Sequence, residues 1–210
     1  AIGEYKVITS NYKAEYDQVS GAAITAVTKS GTNEFESQAF MTYSEADFRA
    51  ETPAEKAAGT GKQGGDTKEY GVSLGGPIIK DVMHFFVTYE AKEFTTPNTV
   101  RAPQLFDDAN NELDWVGGLT PELRENYGPV ANPFDEDLFF GKVDWEFSDV
   151  DRLELSTKIR RERQQAGAAG VVAESAASTY VNDDKRWQLS WEHAGSDRWF
   201  NEATVSFEDT

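Results

Sequence analysis

The 210-residue sequence has no cysteine, two methionines and two histidines. Nor does any apolar run approach the roughly 20 residues that a membrane-spanning helix requires. The missing cysteines exclude a disulfide framework, a thiolate nucleophile and a cysteine-based zinc site. The missing apolar run excludes transmembrane helices but not a transmembrane barrel, whose strands are apolar on one flank only, so a mean hydropathy of −0.59 decides nothing. Cations are scarce as well: 20 Lys and Arg stand against 37 Asp and Glu, for a formal charge of −17. Phosphate neutralisation needs clustered Lys and Arg, so nucleic acid is excluded as a partner. No secretory signal opens the sequence.

Signals for catalysis are equally thin. His84 and His193 lie far apart without metal-ligand spacing, and both read as ordinary polar-face residues. No Gly-x-Ser-x-Gly turn supports a nucleophilic triad. Gly59 to Gly65 lacks the spacing and the preceding strand of a phosphate loop, and reads as a flexible loop tip. Neither enzymatic activity nor a cofactor is expected. Asp107, Asp108, Asn110, Asn111, Glu112 and Asp114 form the one cluster of oxygen donors suited to a hard cation such as calcium. It lacks the glycine and the closing Glu of an EF-hand, so a solvated acidic loop is the favoured reading.

What the sequence does have is alternation. Ala22 to Asn33 is a hinge: a β-branched strand (Ile24, Thr25, Val27, Thr28) runs into Lys29, Ser30, Gly31, Thr32 and Asn33, where the Ser-Gly pair breaks the pleat. Before it, Tyr5, Val7 and Thr9 alternate in a segment too short to fold alone. After it the period is two. Apolar positions recur at Phe35 to Tyr43 (with Phe40 out of phase), Tyr70 to Leu74, Met83 to Ala91, Phe139 to Phe147, Leu153 to Ile159, Trp187 to Trp191 and Ala203 to Phe207. Seven strands are predicted, forming an all-β antiparallel up-and-down meander.

The connections sort by length. Strands two and three, four and five, and six and seven are joined by short turns. Long polar loops, near 46–68, 95–137 and 164–184, make the other connections. In a meander alternate connections share one end of the sheet, so short turns lie at one end and long loops at the other, as in outer-membrane barrels. Tyr43 and Tyr89 fall near the long-loop end and Trp145, Phe147, Trp191 and Trp199 near the short-turn end, where rings with polar tips suit a membrane interface. On the opposite flank Lys142, Asp144, Glu146, Lys158, Arg160, Arg186 and Glu192 would crowd a narrow barrel, so they require a wide, plugged lumen or open solvent.

Thr28-Lys29-Ser30-Gly31-Thr32-Asn33, the preceding Ala14-Glu15-Tyr16 and Ser20-Gly21, and Gly75-Gly76-Pro77-Ile78-Ile79 with Phe85-Phe86 and Tyr89-Glu90 form an ordered set. Phe139 to Trp145 and Arg152-Leu153 extend it. Together they resemble TonB-dependent outer-membrane receptors of the Oar-like group, with Asp17 and Glu36-Ser37 standing where that group often has glycine. The resemblance implies a barrel of about 22 strands around an N-terminal plug. It places residues 1–31 at the end of the plug, 32–210 in the first seven or so barrel strands and the long loops outside the cell. A signal peptide, the TonB box, most of the plug and further strands would then lie beyond this chain. The implied setting is the outer membrane of a Gram-negative bacterium, and the implied function is energy-coupled passage of a ligand. Implied partners are TonB with its inner-membrane energising complex, outer-membrane lipid and an unidentified ligand, and those seven charges become lumen-facing plug contacts. Two other readings stay open: a soluble or surface-attached β-sheet protein binding sugar or calcium, and a barrel serving as a platform for surface proteins.

Overall fold

The computed structural model describes residues 2–9, 22–59, 61–62, 64–100, 128–170, 172–196 and 199–210. Two sheets are present among them. β1 (Ile2–Ile8) and β2 (Ala23–Thr28) form an antiparallel pair. The second sheet has seven strands in sequence order: β3 (Glu36–Ser44), β4 (Thr67–Ile79), β5 (Met83–Val100), β6 (Gly128–Ser148), β7 (Asp151–Ala166), β8 (Ser178–Ser196) and β9 (Trp199–Asp209). Every neighbouring pair is antiparallel, so the sheet is the meander that the alternation predicts. It is open, with β3 and β9 at its edges.

The register stacks like with like. One flank carries the rows Met83, Trp145, Leu153, Trp191, Ala203, then Phe85, Val143, Leu155, Leu189, Val205, then Tyr89, Phe139, Ile159, Lys185. The next row toward the long connections is Ala91, Asp137, Arg161, Asp183, where charge replaces the apolar side chains. From Trp145 to Phe139 is roughly 20 Å along the strand at ~3.4 Å per residue. This apolar band with ring-bearing borders remains in contact with the surroundings: Leu155 is 51 % and Val205 71 % exposed. The opposite flank carries His84, Asp144, Glu154, Ser190, Thr204 in one row and Phe86, Lys142, Ser156, Gln188, Ser206 in the next.

The strands reach further into the long connections than the alternation marks. β5 continues to Val100 and β6 opens at Gly128, so the 95–137 connection narrows to 101–127; 164–184 narrows to 167–177. Around Pro97 and Pro133 the pattern loses its contrast, yet the ladder goes on pairing Thr95 with Pro133 and Val100 with Gly128. A crossing of ~25 Å at a tilt near 40° uses about ten residues. β5, with 18, therefore stands well clear of the band. On that overhang Val100, Val130 and Ala168 make a small buried cluster, joined by Gly170 N donating to Thr99 O at 3.1 Å and Asn132 Nδ2 to Ala168 O at 3.1 Å.

The β3–β4 connection is also more ordered than a plain polar loop. A 3-10 turn spans Ala46–Phe48 and α1 spans Pro53–Ala58. Thr52 and Glu55 form a capping box, Pro53 opens the helix and Gly59 closes it at φ 63°. Gly59, expected in a flexible tip, is therefore a helix terminator.

Candidate functional site at the strand junction and the charged flank

The motif residues that lie far apart in sequence meet at the short-turn end of β4 and β5. After β2 the backbone runs across this hairpin so closely that a Cβ on Gly31 would fall 2.2 Å from Phe85 O and 2.9 Å from Gly76 O. Gly75 approaches it from the sheet, with Gly31 Cα 3.6 Å from where its own Cβ would stand. Gly76 makes room for the Phe35 ring, whose Cδ1 would lie 2.5 Å from a Cβ there. Glycine is needed at these points for approach, not for a turn. The same logic resolves Phe40, the residue out of phase in β3. It lies on the charged flank opposite Gly71, where a Cβ would meet its ring at 2.6 Å.

Asn33 then fastens the crossing to the turn. Its Nδ2 donates to Asp81 Oδ1 at 2.5 Å, while its Oδ1 accepts from the Asp81 backbone N at 2.8 Å and from His84 Nε2 at 2.8 Å. The reciprocal pair fixes the orientation of the amide, and an oxygen acceptor at His84 places the imidazole proton on Nε2. Asp81 sits at φ 63°, the left-handed conformation that Asp tolerates better than most residues. His84, on the charged flank by register, is thus a donor within the junction.

Beside the junction the β1–β2 sheet rests on the charged flank. Lys142 and Asp144 are only 5 % exposed. Lys142 Nζ lies 2.8 Å from Glu154, 3.9 Å from Asp144 and 3.4 Å from Thr28 Oγ1 at the end of β2. Arg152 binds Asp144 at 2.6 Å and reaches Glu192 at 3.8 Å. A cavity of about 580 Å³ remains between the two sheets, bordered by Ile2, Val27, Phe140, Lys142, Lys158 and Arg186. Buried charges of this kind persist only when paired.

The seven charges singled out in the sequence share that flank, as their spacing requires. The structure pairs them mainly within the sheet: Lys158 with Asp184 at 2.6 Å, Arg160 with Glu136 at 2.6 Å and Glu162 at 2.5 Å, and Arg186 with Glu208 at 2.8 Å. Lys142 alone of the seven is hydrogen-bonded to the β1–β2 sheet among the described residues. Glu146 borders a cleft between the short turns with Asp81, Asp149 and Asp151. The sequence marks Asn33 and Arg152 only as members of a motif and gives no site role to them, to Asp81 or to Glu154, although Arg152 and Glu154 follow the same alternation as Lys158. His193 departs from its expected polar-face position. By register it stands with Trp191 on the apolar flank, bonded to Asp151 at 2.6 Å between the Trp191 and Trp199 rings. The acidic cluster from Asp107 to Asp114 lies outside the described residues.

Residues 27–118 match the family model described as outer membrane beta barrel domain. Over 120 residues the chain is 30% identical to the TonB-dependent transporter Oar of Myxococcus xanthus, covering 54% of this chain and 11% of that protein. The fold resembles the crystal structure of the outer membrane transporter YddB from Escherichia coli, with a TM-score of 0.62 over 97% of this chain and 25% of that one at 13% identity. The chain thus spans a quarter or less of either relative's length.

Proposed function

We propose that this chain, a sector of an outer-membrane β-barrel from a Gram-negative bacterium, belongs to a transporter that moves its ligand through a plugged lumen under the pull of TonB. The barrel family match and the apolar band of the sheet put it in the outer membrane, and the soluble-sheet reading falls with them. Its relatives are transporters rather than enzymes. On our reading residues 1–31 are the end of the plug, β3 to β9 open the barrel, the long connections face outward, and no substrate bond is broken. TonB with its energising complex supplies the work, and the cargo and any surface partner belong to the outward face.

The observation that carries this reading is the β1–β2 sheet lodged on the charged flank, held among the described residues by a hydrogen bond from Lys142 to Thr28 and bordered by a cavity. A polar contact of that size stabilises by only about 1 kcal/mol, so a plug seated this way can shift without unfolding the wall. Because the chain has no cysteine, a single thiol placed at Thr28 reports on this contact. In a full-length receptor carrying no other cysteine, Thr28→Cys is expected to label faster with a small thiol reagent in energised cells containing TonB than in cells lacking it. Equal labelling rates in the two strains, with cargo-bearing spent medium supplied to both, would refute energy coupling through this plug.

A further inference from the structure

We infer that Asn33 is a mechanical anchor, which transfers tension arriving along the β2–β3 crossing to the β4–β5 turn and keeps it off strand β3. The inference rests on the proposed reading in that the residues before Asn33 are taken as the pulled plug; its geometry stands independently. Within the described sheet β3 pairs with β4. Force applied to its first residue, Glu36, would load the Glu36–Gly75 pair first and then Ser37–Leu74. Three residues earlier the chain is tied instead to Asp81 and His84 by three hydrogen bonds from one side chain.

Those partners belong to the interior of the sheet. His84 pairs with Pro77 and Asp144, and Val82 O accepts from Glu146 N at 2.8 Å, so the turn is bound to β6 as well as to its own hairpin. Load placed on Asp81 must shear several strands together. The close passage of Gly31 beneath Phe85 O removes the slack that would let Asn33 turn away before its bonds are strained. The anchor is a positioning device: it acts through the turn it holds.

Single-molecule pulling on the full-length receptor in lipid tests this without TonB or cargo, so its failure is separable from failure of the transport reading. Pulled from the N-terminal side at constant force, Asn33→Ala should release β3 roughly 10- to 100-fold faster than wild type, as expected for losing two to three hydrogen bonds. Asp81→Gly, which permits the left-handed backbone and removes the side-chain acceptor while keeping the backbone N–H that bonds Asn33, should give a smaller acceleration in the same direction. Pulled from the C-terminal side, both variants should match wild type, because the crossing is then unloaded. Unchanged β3 release under N-terminal pulling, or equal acceleration from both ends, would overturn the inference; the second result would mark Asn33 as a general fold contact.

Discussion

Arginine at Val143 tests which flank of the sheet meets lipid. Val143 stands in the row of Phe85, Leu155, Leu189 and Val205, two residues beyond Trp145 and four short of Phe139. At ~3.4 Å per residue and a tilt near 40°, it lies about 5 Å inside the Trp145 border and about 10 Å from the Phe139 border. An arginine costs ~2–4 kcal/mol at the midplane of such a barrel and ~0–1 at the interfaces. The lower part of the first range, about 2 kcal/mol, is expected for Val143→Arg. Ile159→Arg, in a row that already holds Lys185, should cost less than about 1 kcal/mol. Thr204→Arg, on the charged flank beside Val205, should also stay near zero. Reversible denaturant unfolding of the full-length barrel in lipid vesicles measures all three. A Val143→Arg destabilisation no larger than that of Thr204→Arg would refute the assignment of flanks, whatever the absolute values.

Three further outcomes follow from contacts already described. Gly31→Ala places a methyl against two backbone carbonyls that cannot rotate away, and should destabilise by about 1–3 kcal/mol, read as a lower unfolding midpoint. Gly71→Ala should carry a similar penalty, chiefly through the Phe40 ring with Tyr89 O also at 3.0 Å: in a double-mutant cycle Phe40→Ala should recover part of the loss, and strict additivity would dismiss the ring contact. Lys142→Met keeps the buried stem and removes the ammonium between Glu154 and Asp144. A loss of about 3 kcal/mol is expected, the low end for breaking a buried pair because Glu154 is partly exposed. Lys142→Arg should retain more than half of it, and a neutral Lys142→Met would show the network to be solvated.

How much of this was legible in the sequence depended on the range of the interaction. Strand identity is set by neighbours two residues apart, and all seven barrel strands could be read from Phe35, Tyr70, Met83, Phe139, Leu153, Trp187 and Ala203 onward. Loop sorting follows from strand count alone. Strand length was less legible: beyond the apolar band the strands are no longer required to alternate apolar with polar, and the pairing from Thr95 to Val100 leaves no periodic trace. The α1 signature, Thr52-Pro53 with Glu55, was present but brief enough to pass for loop.

The junction was illegible for a different reason. Asn33 and Asp81 are 48 residues apart, and nothing about an Asn after Gly-Thr or an Asp in a hairpin turn specifies that they bond to each other. Their meeting depends on a register that places Glu36 opposite Gly75 and so carries the preceding residues past the β4–β5 turn. The glycines supplied the only local hint. Gly31, Gly75 and Gly76 look like turn punctuation, yet Gly75 and Gly76 lie within the β4 ladder, opposite Phe86 and Phe85. A glycine inside a strand marks close approach by another group. Here the approaching groups are the Gly31 backbone and the Phe35 ring, so this pair of strand glycines is the sequence trace of a third segment crossing the hairpin.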